Sequence, residues 1–513
     1  VPQRNEKKGQ PATITSYSPA TGAPLGDVPI VGADEVRRTV ERAREAQRAW
    51  ALLPLDERVA RVLKFRDAIV DDADAIVDLV VAECGKPRVE ALIHEVALTA
   101  NIATYYAKNA SRILAPKEID LALLKHRRSY VHYAPRGVIG IISPWNFPLT
   151  IPMGDAMAAL IAGNAVVLKP SEVTPLTALK AKEVYDAAGL PDDLFQVVTG
   201  DGGTGVALID AHPDKIVFTG AVSTGRKVAA ACGERLIPCT MELGGKAPLI
   251  VCDDADLERA ARAVVFGRFA NSGQVCICVE RVYAHASIYD RLVERTRELV
   301  RELRQGDPTR VDTDMGAIIF AKQIDVAEHL IADAVEKGAK LEAGGKRLDR
   351  EGQFFEPTLL SGCTQDMEVM REETFGPVVP IMKVESEEQA IELANDSHLG
   401  LMAYVFTKDR DKGRRIAERI RAGTVMVNDV FIAYATPEAP FGGVKDSGFG
   451  RVHGEEGLRA MCEIRHVNYD RFTMGSREPL WYPYGETLYK TAQKGMRLLF
   501  RAGNPVQKIL DLF

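Results

Sequence analysis

The sequence predicts an α/β protein with a doubly wound parallel sheet at its centre, and three observations carry that reading. Short apolar runs at Val138–Ile142, Ala165–Leu168, Phe195–Val198 and Ile216–Phe218 alternate with helical patterns, as buried parallel strands joined by crossover helices do. Compact motifs rich in proline, glycine and small polar residues stand directly after several of these runs. Such a sheet binds its ligand beyond the C-terminal ends of its strands. An α-rich stretch comes before this region and a second α/β unit after it.

The totals set bounds. At 513 residues the chain has room for about three domains. A hydrophobic content of 46% beside 27% charged residues is that of an ordinary globular protein. The net charge of −6 argues against nucleic acid as the main partner. Eight cysteines follow no paired framework and no zinc spacing, so no metal site is expected. With no secretory leader and no apolar run near the ~18 residues of a membrane span, a reducing, cytoplasmic setting is the expectation.

In chain order, residues 1–12 are polar and read as a mobile arm, and Ile14–Pro29 reads as a strand pair around Thr21 and Gly22. Val36, Val40, Ala43 and Ala46 recur at helical spacing. Helical patterning continues through Ala60–Val81 and Arg88–Ala110, with Trp50 a packing residue. Tyr130–Tyr133 alternates as a strand leading into the central region. Beyond residue 280 come a strand at Glu280–Ala284, a helix at Ile288–Leu303, and an α/β unit running to about residue 440.

The motifs carry the chemistry. Phe269–Cys278 reads Phe-Ala-Asn-Ser-Gly-Gln-Val-Cys-Ile-Cys. Cys276 is there either a buried structural thiol or a nucleophile. Gly273 and Gln274 permit close backbone approach, and Asn271 and Ser272 are helix-start residue types. Cys276 is therefore expected near a helix N-terminus, where dipole and free N–H groups favour a thiolate. Glu242, between apolar neighbours and the Gly244–Gly245 pair, is either a surface carboxylate or a general base of raised pKa. Asn146 lies between Pro144 and Pro148, which hold its backbone so that its amide can be aimed at an oxyanion. Lys169 and Glu172 place a cation and a carboxylate at a strand tip; a carboxylate there accepts ribose hydroxyls and repels a 2′-phosphate, favouring NAD over NADP. Phe218–Gly225 offers two glycines at a strand-to-helix junction, suited to backbone contacts with a pyrophosphate. Glu372–Pro377 is either an acidic loop before a strand or a cofactor contact, with Glu373 on ribose hydroxyls and Phe375 against a flat ring.

Together these segments resemble the aldehyde dehydrogenase superfamily over residues 14–470. Pro144–Pro148, Lys169–Glu172, Phe218–Gly220, Glu242–Lys246, Gly273–Cys276, Glu373–Pro377 and Pro440–Gly443 occur in the family's order. The resemblance implies a Rossmann-type NAD-binding domain from residues 1–117 and 137–244 and an α/β catalytic domain from 245–445. A β bridging and oligomerisation element from 118–136 and 460–470 and a C-terminal extension over 471–513 complete the division. It implies Cys276 as nucleophile, Glu242 as base and Asn146 as oxyanion donor. The implied cofactor contacts are Ile142, Ser143, Pro144, Trp145, Lys169, Ser171, Glu172, Phe218, Thr219, Gly220, Ala221, Thr224, Leu243, Glu373 and Phe375. By the same analogy Phe147, Met153, Met157, Arg268, Ile277 and the loop Phe431–Pro437 line the substrate pocket. The expected reaction is oxidation of an aldehyde to the acid with NAD, or NADP, by a homodimer or homotetramer.

Two departures stand out. Ala221 lies where many members have serine, and the tail after residue 470 contains Trp481–Tyr484 and a basic amphipathic stretch over Glu486–Arg501. Packing on the oligomer or over the substrate mouth is one reading of that tail, and contact with a membrane surface is the other. Cys278 makes a Cys-x-Cys pair resembling that of some succinate-semialdehyde dehydrogenases, in which oxidation locks the nucleophile. A catalytically silent NAD-binding protein on this fold is expected to lack the nucleophile or the base, and both are present here.

Overall fold

The computed structural model describes residues 3–5, 12–472, 475–478 and 480–502. Gln3–Asn5 pairs antiparallel with Thr13–Tyr17, so part of the expected N-terminal arm is a strand; residues 1, 2 and 6–11 lie outside the described residues. Thr13–Tyr17 and Pro24–Pro29 form the expected antiparallel pair. Helices Ala33–Ala51, Leu55–Asp71, Ala73–Cys84 and Leu98–Ile113 make the α layer. A π-helical turn at Ala91–Ala97 interrupts the expected continuous pattern.

The central sheet has six strands in the order Gly448–Phe449, Cys239–Glu242, Lys215–Thr219, Val138–Ile142, Ala165–Lys169, Phe195–Val197. All neighbours are parallel except the first pair. Register is what builds the site. Ile142 lies opposite both Lys169 and Phe218, and Thr219 lies opposite Glu242. The segments that leave these strand ends therefore emerge along one edge, although up to a hundred residues separate them. The strands themselves are almost wholly buried, which is why they read as continuous apolar runs.

A second sheet has seven strands, in the order Lys340–Ala343, Thr358–Ser361, Val378–Val384, Arg281–His285, Pro248–Val251, Met402–Phe406, Thr424–Val427. Both sheets belong to one compact unit, made of residues 1–115 and 133–463. Residues 116–132 and 464–513 form a second unit. It includes most of a three-stranded sheet in the order Cys462–Asp470, Arg127–Pro135, Lys117–Ile119, and a helix at Glu486–Phe500. Among the described residues, no helix is long and apolar enough to cross a membrane.

Candidate active site

Cys276 is where three cavities of the larger unit meet. A tunnel of about 250 Å³ is lined by Ile93, His94, Leu98, Phe147, Phe266, Ile277, Phe431 and other mainly apolar residues, with Cys276 among them. A cleft of about 320 Å³ runs from Cys276 along the strand ends, past Asn146, Trp145, Thr219–Ala221, Glu242–Gly244, Glu373 and Phe375. A chamber of about 20 Å³, the size of one water, joins Cys276 to Glu242, Asp155 and Tyr434.

Cys276 does not stand at a helix N-terminus as expected. It follows the C-terminal end of helix Leu257–Phe269, after Asn271 and Ser272, which adopt the left-handed conformation (φ 46° and 56°), in a non-helical turn. The short polar side chains of these residues suit that conformation, which is the same preference that made them look like helix starters. Without a helix dipole, burial pushes the Cys276 thiol well above its ordinary pKa, and Glu373 and Glu242 push it further. The thiol is therefore protonated at rest and needs a base.

The turn is held by a closed set of hydrogen bonds. Asn146 Nδ2 donates to the Gln274 carbonyl at 2.9 Å, Asn271 Nδ2 donates to the Asn146 carbonyl at 3.1 Å, and Asn271 N donates to Glu90 at 2.8 Å. One amide proton of Asn146 is thus committed to the loop and the other is left for the cleft. A Cβ on Gly245 would collide with the Cys276 carbonyl oxygen, so the second glycine after Glu242 lets two strand-end loops touch.

Glu242 is buried, and neither of its carboxylate oxygens has a partner among the described residues. Burial raises its pKa well above the ordinary value, and Asp155 adds to the rise. Asp155 is itself pushed up to about 7, by burial. Gly442, from the glycine-rich Pro440–Gly443 segment, lies where a side chain would press on Glu242 Oε1.

At the far end of the cleft, Gly245 N donates to Glu373 Oε1 at 2.8 Å, and Phe375 packs edge-on against Trp145 at 5.3 Å between centroids. Phe375 has φ 47°. Its segment is pinned by buried Glu280, which accepts from Thr374 N and Phe375 N and pairs with Lys246 at 2.7 Å and Arg268 at 2.6 Å. Burial alone would raise the pKa of Glu280; the two cations outweigh it and hold the carboxyl down at about 2.

The cleft offers an anion site where a strand passes into a helix. Helix Val222–Glu234 begins at Ala221 with no side-chain cap, so its first N–H groups are left for an anion. The missing serine hydroxyl noted in the sequence takes nothing from those donors. Lys169 Nζ pairs with Glu172 at 3.1 Å at the strand tip. Ile142, Ser143, Lys169, Ser171, Glu172, Phe218 and Thr224 lie on the same strand-end edge but do not line the cleft.

The substrate side needs the largest correction. Phe147, Ile277 and Phe431 line the tunnel, but Met153 and Met157 do not: they are fully buried in the core between helix Thr150–Ile161 and the α layer. Thr150 and Ile151 present that helix to the tunnel instead. Arg268 is also fully buried, on Glu280. Cys278 is wholly buried, its thiol donating to the Arg268 carbonyl at 3.7 Å, and it lines none of the three cavities. Asp155 was missed although it is the only acid in an otherwise apolar helix, a signal the sequence does carry. Ile93, His94 and Leu98 carried none, being ordinary members of a helical pattern.

A cysteine, an unpartnered carboxylate and an amide gather at one cleft of this α/β fold, and the model of the aldehyde dehydrogenase family matches residues 6–467. The chain belongs to that family and is an NAD(P)-dependent oxidoreductase acting on aldehydes. Over 482 residues it is 40% identical to a putative NADP(+) succinate-semialdehyde dehydrogenase of Mycolicibacterium smegmatis, covering 92% of this chain and 93% of that one. It is 37% identical to a 4,4'-diapolycopene aldehyde oxidase of a Methylomonas species, covering 97% and 93%. The NAD+ complex of a Bacillus cereus aldehyde dehydrogenase superposes with a TM-score of 0.86 at 34% identity, covering 90% and 94%.

Proposed function

We propose that this enzyme oxidises apolar aldehydes of medium or long chain to carboxylic acids, with NAD preferred. The observation that carries the reading is that Cys276 borders an apolar tunnel, a nucleotide-shaped cleft and the Glu242 chamber at once. The six-stranded sheet then serves as the cofactor domain and the seven-stranded sheet as the catalytic one.

In this reading the aldehyde carbon arrives through the tunnel. Glu242 takes the Cys276 proton as sulfur bonds to the carbonyl carbon, and Asn146 Nδ2 with the Cys276 N–H holds the oxyanion. Residues of the cleft, with Glu373, Phe375 and the uncapped helix start at Ala221 among them, would hold NAD(P)+, which would supply the hydride acceptor. Loss of hydride from the substrate carbon leaves a thioester on Cys276. Glu242 passes the thiol proton out to solvent and, as a carboxylate again, deprotonates a water, whose attack releases the acid and returns the sulfur as thiolate. The water-sized chamber beside Glu242 suits that step.

The alternative is a succinate-semialdehyde dehydrogenase, as the Mycolicibacterium relative is named. That substrate carries a carboxylate and calls for a cation. No Lys or Arg stands among the described tunnel-lining residues, and burial lowers the pKa of His94 to about 4, so it is neutral. Lys86 lies over the Phe147 ring at 3.8 Å, but Glu95 neutralises it at 2.6 Å. The mainly apolar lining of the tunnel agrees better with the Methylomonas relative, named a 4,4'-diapolycopene aldehyde oxidase. Its alignment takes in 97% of this chain, a share that cannot be reached without entering the segment after residue 470.

NADH and NADPH formation with hexanal, decanal, benzaldehyde and succinic semialdehyde, beside Cys276→Ala, tests the reading. The highest kcat/KM is expected at decanal with NAD. A maximum at succinic semialdehyde overturns the substrate assignment, and turnover by Cys276→Ala overturns the nucleophile. As a family trait the active form is a homodimer or homotetramer.

A further inference from the structure

The helix Glu486–Phe500 has two opposed faces. At about 100° per residue, Leu488, Tyr489, Ala492, Met496, Leu499 and Phe500 share one arc of roughly 120°. Lys490, Lys494 and Arg497 share an arc of roughly 60° on the other side. The apolar face has no partner that covers it among the described residues: Tyr489 is 69% exposed, Leu499 52% and Phe500 70%. Just before the helix, Leu480, Trp481, Tyr482 and Tyr484 are each at least 60% exposed. In water this much contiguous apolar surface marks a contact site.

We propose that this face docks on an anionic lipid surface. Three cations stand on the helix against one carboxylate, Glu486, which is already paired with Lys490 at 2.7 Å. The whole chain, by contrast, carries −6. Local positive charge on a negative protein is complementary to acidic headgroups. The aromatic residues support the same occupant, since Trp and Tyr combine an apolar body with a polar tip and settle at the membrane–water boundary. The helix lies in the interface and does not span it, because at fifteen residues with a charged face it is too short and too polar to cross. The docking stands on these residues alone. Its consequence, that the enzyme draws apolar aldehydes from the bilayer where they concentrate, rests on the substrate reading above.

The test is flotation of the full-length enzyme with vesicles of phosphatidylcholine and of phosphatidylcholine with phosphatidylglycerol, at low and high salt. Binding to the anionic vesicles at least tenfold tighter than to the neutral ones, and weakened by salt, is expected. The double variant Leu499→Glu with Phe500→Glu loses that binding at least tenfold, while hexanal turnover stays as it was. Lys490→Glu with Lys494→Glu removes the preference for anionic lipid. No flotation of the wild-type protein overturns the proposal. So does a double variant whose oligomer falls apart in light scattering while the wild type ignores vesicles, an outcome that assigns the face to a second copy. Vesicle binding together with an optimum at succinic semialdehyde keeps the docking and discards the substrate reading.

Discussion

The cleft and the tunnel meet at one sulfur atom and are built in opposite ways. The cleft is lined by residues that leave adjacent strand ends in consecutive motifs, and its parts are tied by directional hydrogen bonds and buried ion pairs. The tunnel is lined by side chains from the α layer, the nucleophile turn and the loop Val430–Ala435, which share little beyond being mainly apolar. A dinucleotide presents fixed polar groups, so its site repays fixed donors and acceptors. An apolar chain offers nothing to orient on, so its site needs only shape and the absence of charge.

The sharpest division between the two sides is at the chemistry itself. Glu242→Gln should cut steady-state turnover by about 10²–10⁴ and suppress the rapid burst of NADH with it, because the same carboxylate takes the thiol proton in the first half-reaction. Stopped-flow absorbance measures it, and a burst that survives the loss of turnover would show that Glu242 serves the water step alone.

Next in size is the frame of the cleft. Glu280→Gln strands two buried cations and should destabilise the protein by about 3–5 kcal/mol, read as a fall in Tm. The sign with pH follows from the depressed carboxyl. The stabilisation is present above the ordinary glutamate range near pH 4 and is lost as pH falls toward 2. The deficit of the variant should therefore shrink in acid; a constant deficit means that packing, and not charge, is what the glutamate supplies.

On the tunnel side, Phe266 is half-exposed at the lining. Phe266→Arg should raise kcat/KM for succinic semialdehyde about tenfold and lower it for decanal by a similar factor, as one partly exposed ion pair can. The KM for NAD should stay unchanged. A change in the NAD term instead would show that the two cavities are not independent.

The smallest effect expected is at the chamber. Asp155→Asn removes a negative neighbour of Glu242, so the Glu242 pKa falls and the acid limb of the kcat profile moves to lower pH. An unmoved limb would leave burial as the sole cause of the raised pKa.

The same contrast explains what could be read in advance. Glu242, Asn146 and the glycines beside them were legible because each is chemically conspicuous within a few residues of a strand end. Met153 and Met157 were misplaced because a helix of wholly buried residues shows no face in its sequence; only packing decided that Ile151 and Asp155 turn to the cavities. Arg268 looked like a candidate anchor until its partner was known, and Glu280 lies in another motif, at the start of another strand.

The sequence by itself determined the parallel strands and the family and singled out Cys276, Glu242 and Asn146 as candidates, since apolar runs and polar motifs are local and their order along the chain is kept by covalent connection. Tertiary structure alone decided that Cys276 follows a left-handed turn and not a helix start, that the pKa of its thiol is raised and not lowered, and that no Lys or Arg lines the tunnel among the described residues. Burial and charge pairing are sums over neighbours distant in sequence, and they exist only once the strand ends have been brought into register.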